Sequence, residues 1–382
     1  MYNETKVLDV HSHVRPHRAA YLFFNDLVHS RLALESPIGP GRHSGIPGMR
    51  DEDFQSMASS HAAYLDERMI DTQILTPHPL RVFGWLEPYL FRSWVSYIND
   101  MIFKIAQAEP SRFVGACYVP QDPSATDTAG CVEELERCVK EYGFVAVSVS
   151  PDISGKHDSP AMSDPYWYPL YEKCQDLDTP IIVHGTDGLD PRYRALPRQY
   201  YQMTFVTEQY LALCALRQND QFERFPGLKV IVCHCGGALD RHIGDYPWLC
   251  RDRDLSANLF YDTCSYDLDF LATAIKQRGI SQFCFGVEAP GGGVNNRPGT
   301  DRTADDMVPM ITEDPILGFL TEQDKIDILH NNPARVCPGL ADPVATNARA
   351  TVQAFGSEGA VTAPTRSPGQ SINPNPWGFG ER

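Results

Sequence analysis

The stretch LDVHSHVRP, residues 8–16, is an apolar run that ends in two histidines two positions apart. Side chains alternate along a β-strand, so His11 and His13 share one face while Val10 and Ser12 take the other. Two same-face imidazoles stand about 6–7 Å apart and each offers a neutral nitrogen lone pair, so the pair can grip one cation. The plain alternative is a polar strand end with no ligand. The positions of the chain's other ligand-type residues decide between them.

Seven more apolar segments of the buried-strand type follow KVLDVHSH (6–13): DTQILTP (71–77), FVGACYVP (113–120), GFVAVSVS (143–150), TPIIVHG (179–185), LKVIVCH (228–234), ANLFYDT (257–263) and SQFCFGVE (281–288). Helix-like stretches lie between them. DTAGCVEELERCVKEY (127–142) places Val132, Leu135 and Val139 at helical spacing, with Asp127 as its cap. YPLYEKCQDL (168–177) and DFLATAIKQRG (269–279) have the same character. Strand and helix alternating about eight times predicts an α/β fold, a (β/α)8 TIM-type barrel. A doubly wound open sheet is the alternative, but the first strand lacks the glycine-rich turn that would favour it.

Two segments fall outside the barrel pattern. Residues 14–60, rich in His, Arg, Pro and Gly, form an insertion after the first strand, of the kind that covers a pocket. From about 341 to 382 the chain turns to Ala, Thr, Ser, Gly and Pro and has little to bury, which predicts an extended or flexible tail. The barrel domain is therefore expected over residues 1–340.

The chain has 382 residues and a formal net charge of −16, with a sequence pI near 5.1. That balance argues against nucleic acid or an anionic membrane as partner, and leaves a small-molecule carboxylate drawn by local arginines or a metal. The 11 cysteines show no CxxC pair and no disulfide framework. With no signal peptide read at the N-terminus and no apolar run long enough to span a bilayer, they suit a cytoplasmic protein with reduced thiols. A homo-oligomer, by default a dimer, is the expected assembly.

His11, His13, His184, His234 and Glu288 all sit at the C-terminal ends of predicted strands, where barrel active sites are built. His11, His13, His184 and Glu288 make a sufficient set for one divalent ion with room left for water or substrate; zinc suits its nitrogen-rich character, and manganese is the alternative because the carboxylate adds hardness. Singly, His184 reads equally as a core histidine and Glu288 as a capping carboxylate. His234, in VIVCHCGGA, is read as general acid/base, with two glycines after it that let the backbone approach a ligand closely. A fifth ligand or an orienting histidine is its alternative role. Asp262, in YDTCSY, either orients His234 or caps a helix. The glycine run of GVEAPGGGVNNRPGTDR (286–302) lacks the lysine and hydroxyl of a phosphate loop and reads as a mobile loop carrying Arg297 toward the pocket. Arg192 and Arg194 follow His184, and the three arginines are candidate carboxylate clamps, with surface ion pairs as the alternative.

As a set, DVHSHV, IIVHG, VCHCGGA, the acid of the eighth strand and HNNPARVCPGL (330–340) resemble the amidohydrolase superfamily, in its amidohydrolase-2 branch. The resemblance implies metal ligation by His11, His13, His184 and Glu288 and a catalytic His234. Glutamate in VEAPGGG is similar to that of the branch's hydratases and of a carbon–carbon bond hydrolase, where its decarboxylases usually carry aspartate. The segment after His184, GTDGLDPRYRALPRQYY, departs from the hydratase pattern in a region expected to line the pocket. The expected activity is a metal-dependent hydro-lyase acting on an unsaturated oxo-carboxylic acid from aromatic-compound catabolism. Non-oxidative decarboxylation and carbon–carbon hydrolysis are the enzymatic alternatives, and a catalytically dead barrel serving a partner is the non-enzymatic one.

Overall fold

The computed structural model describes residues 1–15, 17–29, 49–195, 200–240 and 254–351. Eight parallel staves follow one another around a barrel in chain order. The first is split into β1 (Leu8–Asp9) and β2 (His13–Val14), which both pair with β3 (Thr72–Pro77), Leu8 opposite Thr72 and His13 opposite Thr76. β4 (Phe113–Tyr118), β5 (Ala146–Val149), β6 (Ile181–Val183), β7 (Val230–Val232), β8 (Leu259–Asp262) and β9 (Phe283–Cys284) continue the sheet. The last stave meets the first through Val10 N–H donating to Phe285 O at 2.9 Å and Glu288 N–H to His11 O at 2.8 Å.

Leu8, Ile74, Val114, Ala146, Ile182, Ile231, Phe260 and Cys284 form one buried cluster, to which every stave contributes. Side chains from all staves can meet only in the barrel lumen, so this cluster is the packed interior. Val336, Cys337 and Leu340 join it from the C-terminal turns and seal one end. Alternation then fixes the other end: two residues beyond Ile182 the same face carries His184.

A second, larger apolar layer lies between the staves and the surrounding helices. These include α1 (Arg18–His29), α2 (Asp51–Asp66), α3 (Pro88–Ala108), α4 (Ala129–Tyr142), α5 (Tyr168–Asp176), α6 (Tyr200–Gln218) and α7 (Leu268–Arg278). α4 starts as expected, with Asp127 accepting the Ala129 N–H at 2.8 Å. Leu135 is buried as expected and Val139 packs half-buried against the core, but the fully buried apolar face runs through Cys131, Cys138 and Tyr142, and Val132 is only half-buried. Buried charge turns the helix: Arg137 pairs with Glu134 at 2.6 Å and with Asp100 of α3 at 3.1 Å, so these charged groups share the inward face with the apolar ones.

Most of the predicted insertion that is described is helical, as α1 and the start of α2, and Phe23 of α1 stacks on Tyr97 of α3 with ring centroids 4.3 Å apart. Residues 30–48 of it lie outside the described residues. At the C-terminus the chain stays helical past residue 341, as Pro343–Asn347, and Asn347 Nδ2 donates to Phe113 O at 2.8 Å. Residues 352–382, most of the predicted tail, lie outside the described residues. The described cysteines are free thiols, all buried except Cys214. Among the described residues no helix is long and apolar enough to cross a membrane.

Candidate metal centre

His11, His13, His184 and Glu288 converge at the open end of the barrel, one potential ligand atom from each lying within 4.8 Å of all the others. Outer hydrogen bonds fix which nitrogen faces inward. His11 Nδ1 meets the Asp262 carboxylate at 2.6 Å, His13 Nδ1 meets Pro77 O at 3.1 Å, and His184 Nδ1 meets Gly185 O at 2.7 Å. Each of these partners is an acceptor, so each Nδ1 carries the proton and each Nε2 presents a lone pair. His11 Nε2 and His13 Nε2 then stand 3.3 Å apart, and the buried His184 Nε2 has no hydrogen-bond partner. Glu288 Oε1 adds a negative oxygen 3.3 Å from His13 Nε2. Lone pairs gathered this closely repel one another unless a cation lies between them, so the donor set fits a divalent ion.

The protonation states agree. Burial holds His13 down to about 4 against the pull of Glu288, and burial together with the neighbouring imidazoles holds His184 well below its ordinary value. Burial alone would raise Glu288, but its close contacts with His13 and His234 outweigh it and keep the carboxyl well below the usual range. Neutral imidazoles and an ionised carboxylate are the metal-binding forms.

The first stave breaks because its backbone bonds leave the ladder between the two histidines: Asp9 Oδ1 accepts the His11 N–H at 2.9 Å, and Ser12 Oγ donates to Ile74 O at 2.6 Å. His11 therefore sits in the gap between β1 and β2, while His13 begins β2. Their rings meet edge to face with centroids 5.0 Å apart.

His234 follows β7 in a left-handed turn, φ 51° and ψ 48°, continued by Cys235 at φ 57°. For residues other than glycine such conformations cost about 1–2 kcal/mol each. The Cys235 N–H donates to Asp262 Oδ1 at 2.9 Å, which helps hold the turn. Both following residues hold positive φ; a Cβ at Gly236 would meet the Tyr261 ring of β8 at 2.9 Å, and one at Gly237 would lie 2.3 Å from Val206 O and 2.7 Å from Tyr210 N of α6. Gly237 thus allows close approach to a helix, and it also lines the cavity that opens beside His234.

His234 Nε2 lies 3.7 Å from Glu288 Oε2, beside the four-ligand set. Burial lowers its basicity, but Glu288 outweighs that and raises it above the ordinary value. Its Nδ1 faces the amide of the buried Gln209 on α6, with Nε2 at 3.0 Å and Oε1 at 3.1 Å. Asp262 does not act on the His234 ring directly: its Oδ2 bonds His11 and its Oδ1 accepts the N–H groups of Cys235 and Cys264, so its hold on His234 is through the backbone of the turn. Burial would raise Asp262, yet the hydrogen bond from His11 keeps it low.

A cavity of about 310 Å3 opens beside the centre, lined by Gln202, Phe205, His234, Tyr266, Phe270 and Glu288 among others. Tyr266 Oη stands 3.2 Å from Glu288 Oε2. Arg297 is elsewhere engaged: its guanidinium donates to Tyr266 O at 2.8 Å and Ala304 O at 2.7 Å, so it pins the 286–306 loop instead of clamping a substrate. That loop is also held by Asp305, which accepts Arg68 Nε at 2.9 Å and Tyr64 Oη at 2.5 Å. Its glycines wrap Glu288, where a Cβ at Gly291 would lie 2.8 Å from Glu288 Cγ. Arg192 is exposed and chelates Asp190, Nε to Oδ2 at 2.9 Å. The side chain of Arg194 lies outside the described residues. Gln209, Tyr266 and Thr76, whose hydroxyl is 3.0 Å from His13 Nδ1, join the site without a sequence motif to mark them.

Comparison with known proteins places these features in context. The family described as Amidohydrolase matches residues 8–338. The 2-keto-4-carboxy-3-hexenedioate hydratase of Sphingobium sp. (strain NBRC 103272 / SYK-6) is 30% identical over 302 residues, 76% of this chain and 85% of that protein. The crystal structure of 4-oxalomesaconate hydratase from Rhodopseudomonas palustris superposes with a TM-score of 0.71 at 28% identity, covering 90% of this chain and 99% of that one. A gamma-resorcylate decarboxylase of Polaromonas sp. (strain JS666 / ATCC BAA-500) is 31% identical over 249 residues, 59% of this chain and 74% of that protein.

Proposed function

The chain belongs to the amidohydrolase family, and from that premise we propose that it is a metal-dependent hydro-lyase that hydrates an unsaturated oxo-carboxylic acid from aromatic-compound catabolism. The observation that carries the reading is the convergence of three imidazole Nε2 lone pairs and Glu288 in a barrel whose relatives include two hydratases. His11, His13, His184 and Glu288 would hold one divalent ion, zinc by its liking for nitrogen donors, with manganese as the alternative. When bound, the ion supplies a Lewis acid that polarises an oxygen of water or substrate.

The remaining chemistry falls to the chain's own groups. Hydration of a double bond conjugated to a carbonyl takes one proton from water and delivers one to carbon. His234 Nε2 faces the cavity and Glu288 Oε2, placed to carry one of these protons. Gln209 suits that work because its amide can donate to Nδ1 or accept from it, supporting either tautomer of the ring. Phe205 and Phe270 give the cavity apolar walls, and Gln202, Ser265 and Tyr266 offer neutral polar contacts for substrate oxygens. A cytoplasmic homodimer is the proposed form.

Chelating the ion from the purified protein abolishes loss of the substrate's conjugated absorbance, and one equivalent of zinc or manganese restores it. Full hydration by metal-free protein would overturn the proposal. Decarboxylation is the second reading, favoured by the 31% identical decarboxylase.

A further inference from the structure

Glu288 faces two ways. Its Oε1 belongs to the three-histidine centre, while Oε2 looks toward a different group of donors, His234 Nε2 at 3.7 Å and Tyr266 Oη at 3.2 Å. The thiol of Cys264 lies with them: the ligand atoms of His234, Cys264 and Glu288 all fall within 4.8 Å of one another. We propose that these three residues form a second site, inhibitory in effect, for a soft divalent cation of the zinc type, sharing Glu288 with the centre beside it.

Geometry, donor chemistry and access support this site. Ligand atoms on one zinc ion stand about 3.3–3.8 Å apart, so closing the triad needs shifts of about 1 Å. The His234–Glu288 edge is already at that spacing. Imidazole, carboxylate and thiolate together favour zinc or cadmium over manganese or magnesium, because sulfur is the softest donor of the three. Cys264, His234 and Glu288 all line the 310 Å3 cavity, so an ion can enter from solvent. The backbone of Cys264 is fixed by its N–H bond to Asp262 Oδ1 at 3.1 Å, whereas its sulfur reaches the Tyr266 hydroxyl only at 4.0 Å. On binding, the S–H proton leaves to solvent, any proton on His234 Nε2 leaves with it or moves to Nδ1, where Gln209 Oε1 can accept it, and sulfur–metal and nitrogen–metal bonds take their places with no change of oxidation state.

An ion there would occupy His234 Nε2, the atom assigned to proton transfer. Inhibition therefore rests on the proposed function, whereas binding does not. The test uses the full chain loaded with its first divalent ion and titrated with further zinc against a chelating indicator, for wild type, Cys264→Ser and Cys264→Ala. Wild type is expected to take up one equivalent more than either variant, and to show no such extra equivalent with manganese. Equal zinc uptake in all three proteins would overturn the site. Cadmium gives a second readout: a thiolate-to-metal ultraviolet band should accompany the extra equivalent in wild type and be missing from both variants, and a band of full strength in the variants would also overturn it. Excess zinc should slow turnover about tenfold or more in wild type relative to each variant's own zinc response. Uptake of the extra equivalent without slowing would refute the inhibitory role and leave the hydration reading to be judged by its own assay.

Discussion

Replacing Asp262 by Asn changes one atom in the bond that sets the His11 tautomer. In the native site Asp262 Oδ2 accepts from His11 Nδ1 at 2.6 Å, while Oδ1 accepts the N–H groups of Cys235 at 2.9 Å and Cys264 at 3.1 Å. Asn can keep its carbonyl oxygen on those two N–H groups, which leaves its NH2 facing His11. An NH2 cannot accept a hydrogen bond, so His11 must forfeit the contact or move its proton to Nε2, the nitrogen turned toward the ion. The native bond is buried and charge-assisted, a class worth about 1.5–3 kcal/mol. At about 1.4 kcal/mol per factor of ten, metal affinity should fall about 10- to 100-fold. A competition titration of zinc against a chelating indicator measures this, and a thermal melt of the metal-free variant checks that the barrel persists. Wild-type affinity in a folded Asp262→Asn protein would refute the tautomer argument.

Three further outcomes follow from the same geometry. Glu288→Ala should lose bound metal and hydration together, measured by metal analysis of the purified variant beside its activity; full metal occupancy would remove Glu288 from the ligand set. Arg297→Met strips donors from the carbonyls of Tyr266 and Ala304 and should cost about 2–4 kcal/mol of stability with metal content unchanged, read from denaturant melts. Burial holds His61 down to about 4, so it stays neutral in the fold while the unfolded chain protonates it near 6.5. The stability it contributes is complete above pH 6.5 and is lost as pH falls toward 4, and His61→Phe should flatten the stability–pH curve in that window by up to about 1.4 kcal/mol per unit.

The barrel was legible because parallel staves buried on both faces are written as short apolar runs, and because ligand-type residues cluster at the ends of those runs. TPIIVHG (179–185) shows both signals at once, with Ile182 in the lumen and His184 at the mouth. Partners that meet only across elements were not legible. Gln209 is one polar residue among several on α6, and its contact with His234 exists because Gly237 lets the β7 turn lie against that helix. Asp262 sits on the stave next to His234 in sequence order, yet its carboxylate reaches His11, two staves away around the barrel. Arg297 carries the charge a clamp would need, but the loop that bears it folds back, and backbone carbonyls claim its donors. On α4 the spacing finds Leu135 and Val139 but not the turn of the face toward Cys131, Cys138 and Tyr142, because charged residues paired across to α3 are buried and hydropathy spacing gives no sign of such pairing.

The most direct test of the central claim is the mass of the product after the metal-loaded chain is incubated, in water enriched in oxygen-18, with 2-keto-4-carboxy-3-hexenedioate, the compound for which its Sphingobium relative is named. The account predicts gain of one water, carrying the heavy oxygen, with the carbon skeleton intact. Loss of carbon dioxide, or cleavage into two acids, would contradict it.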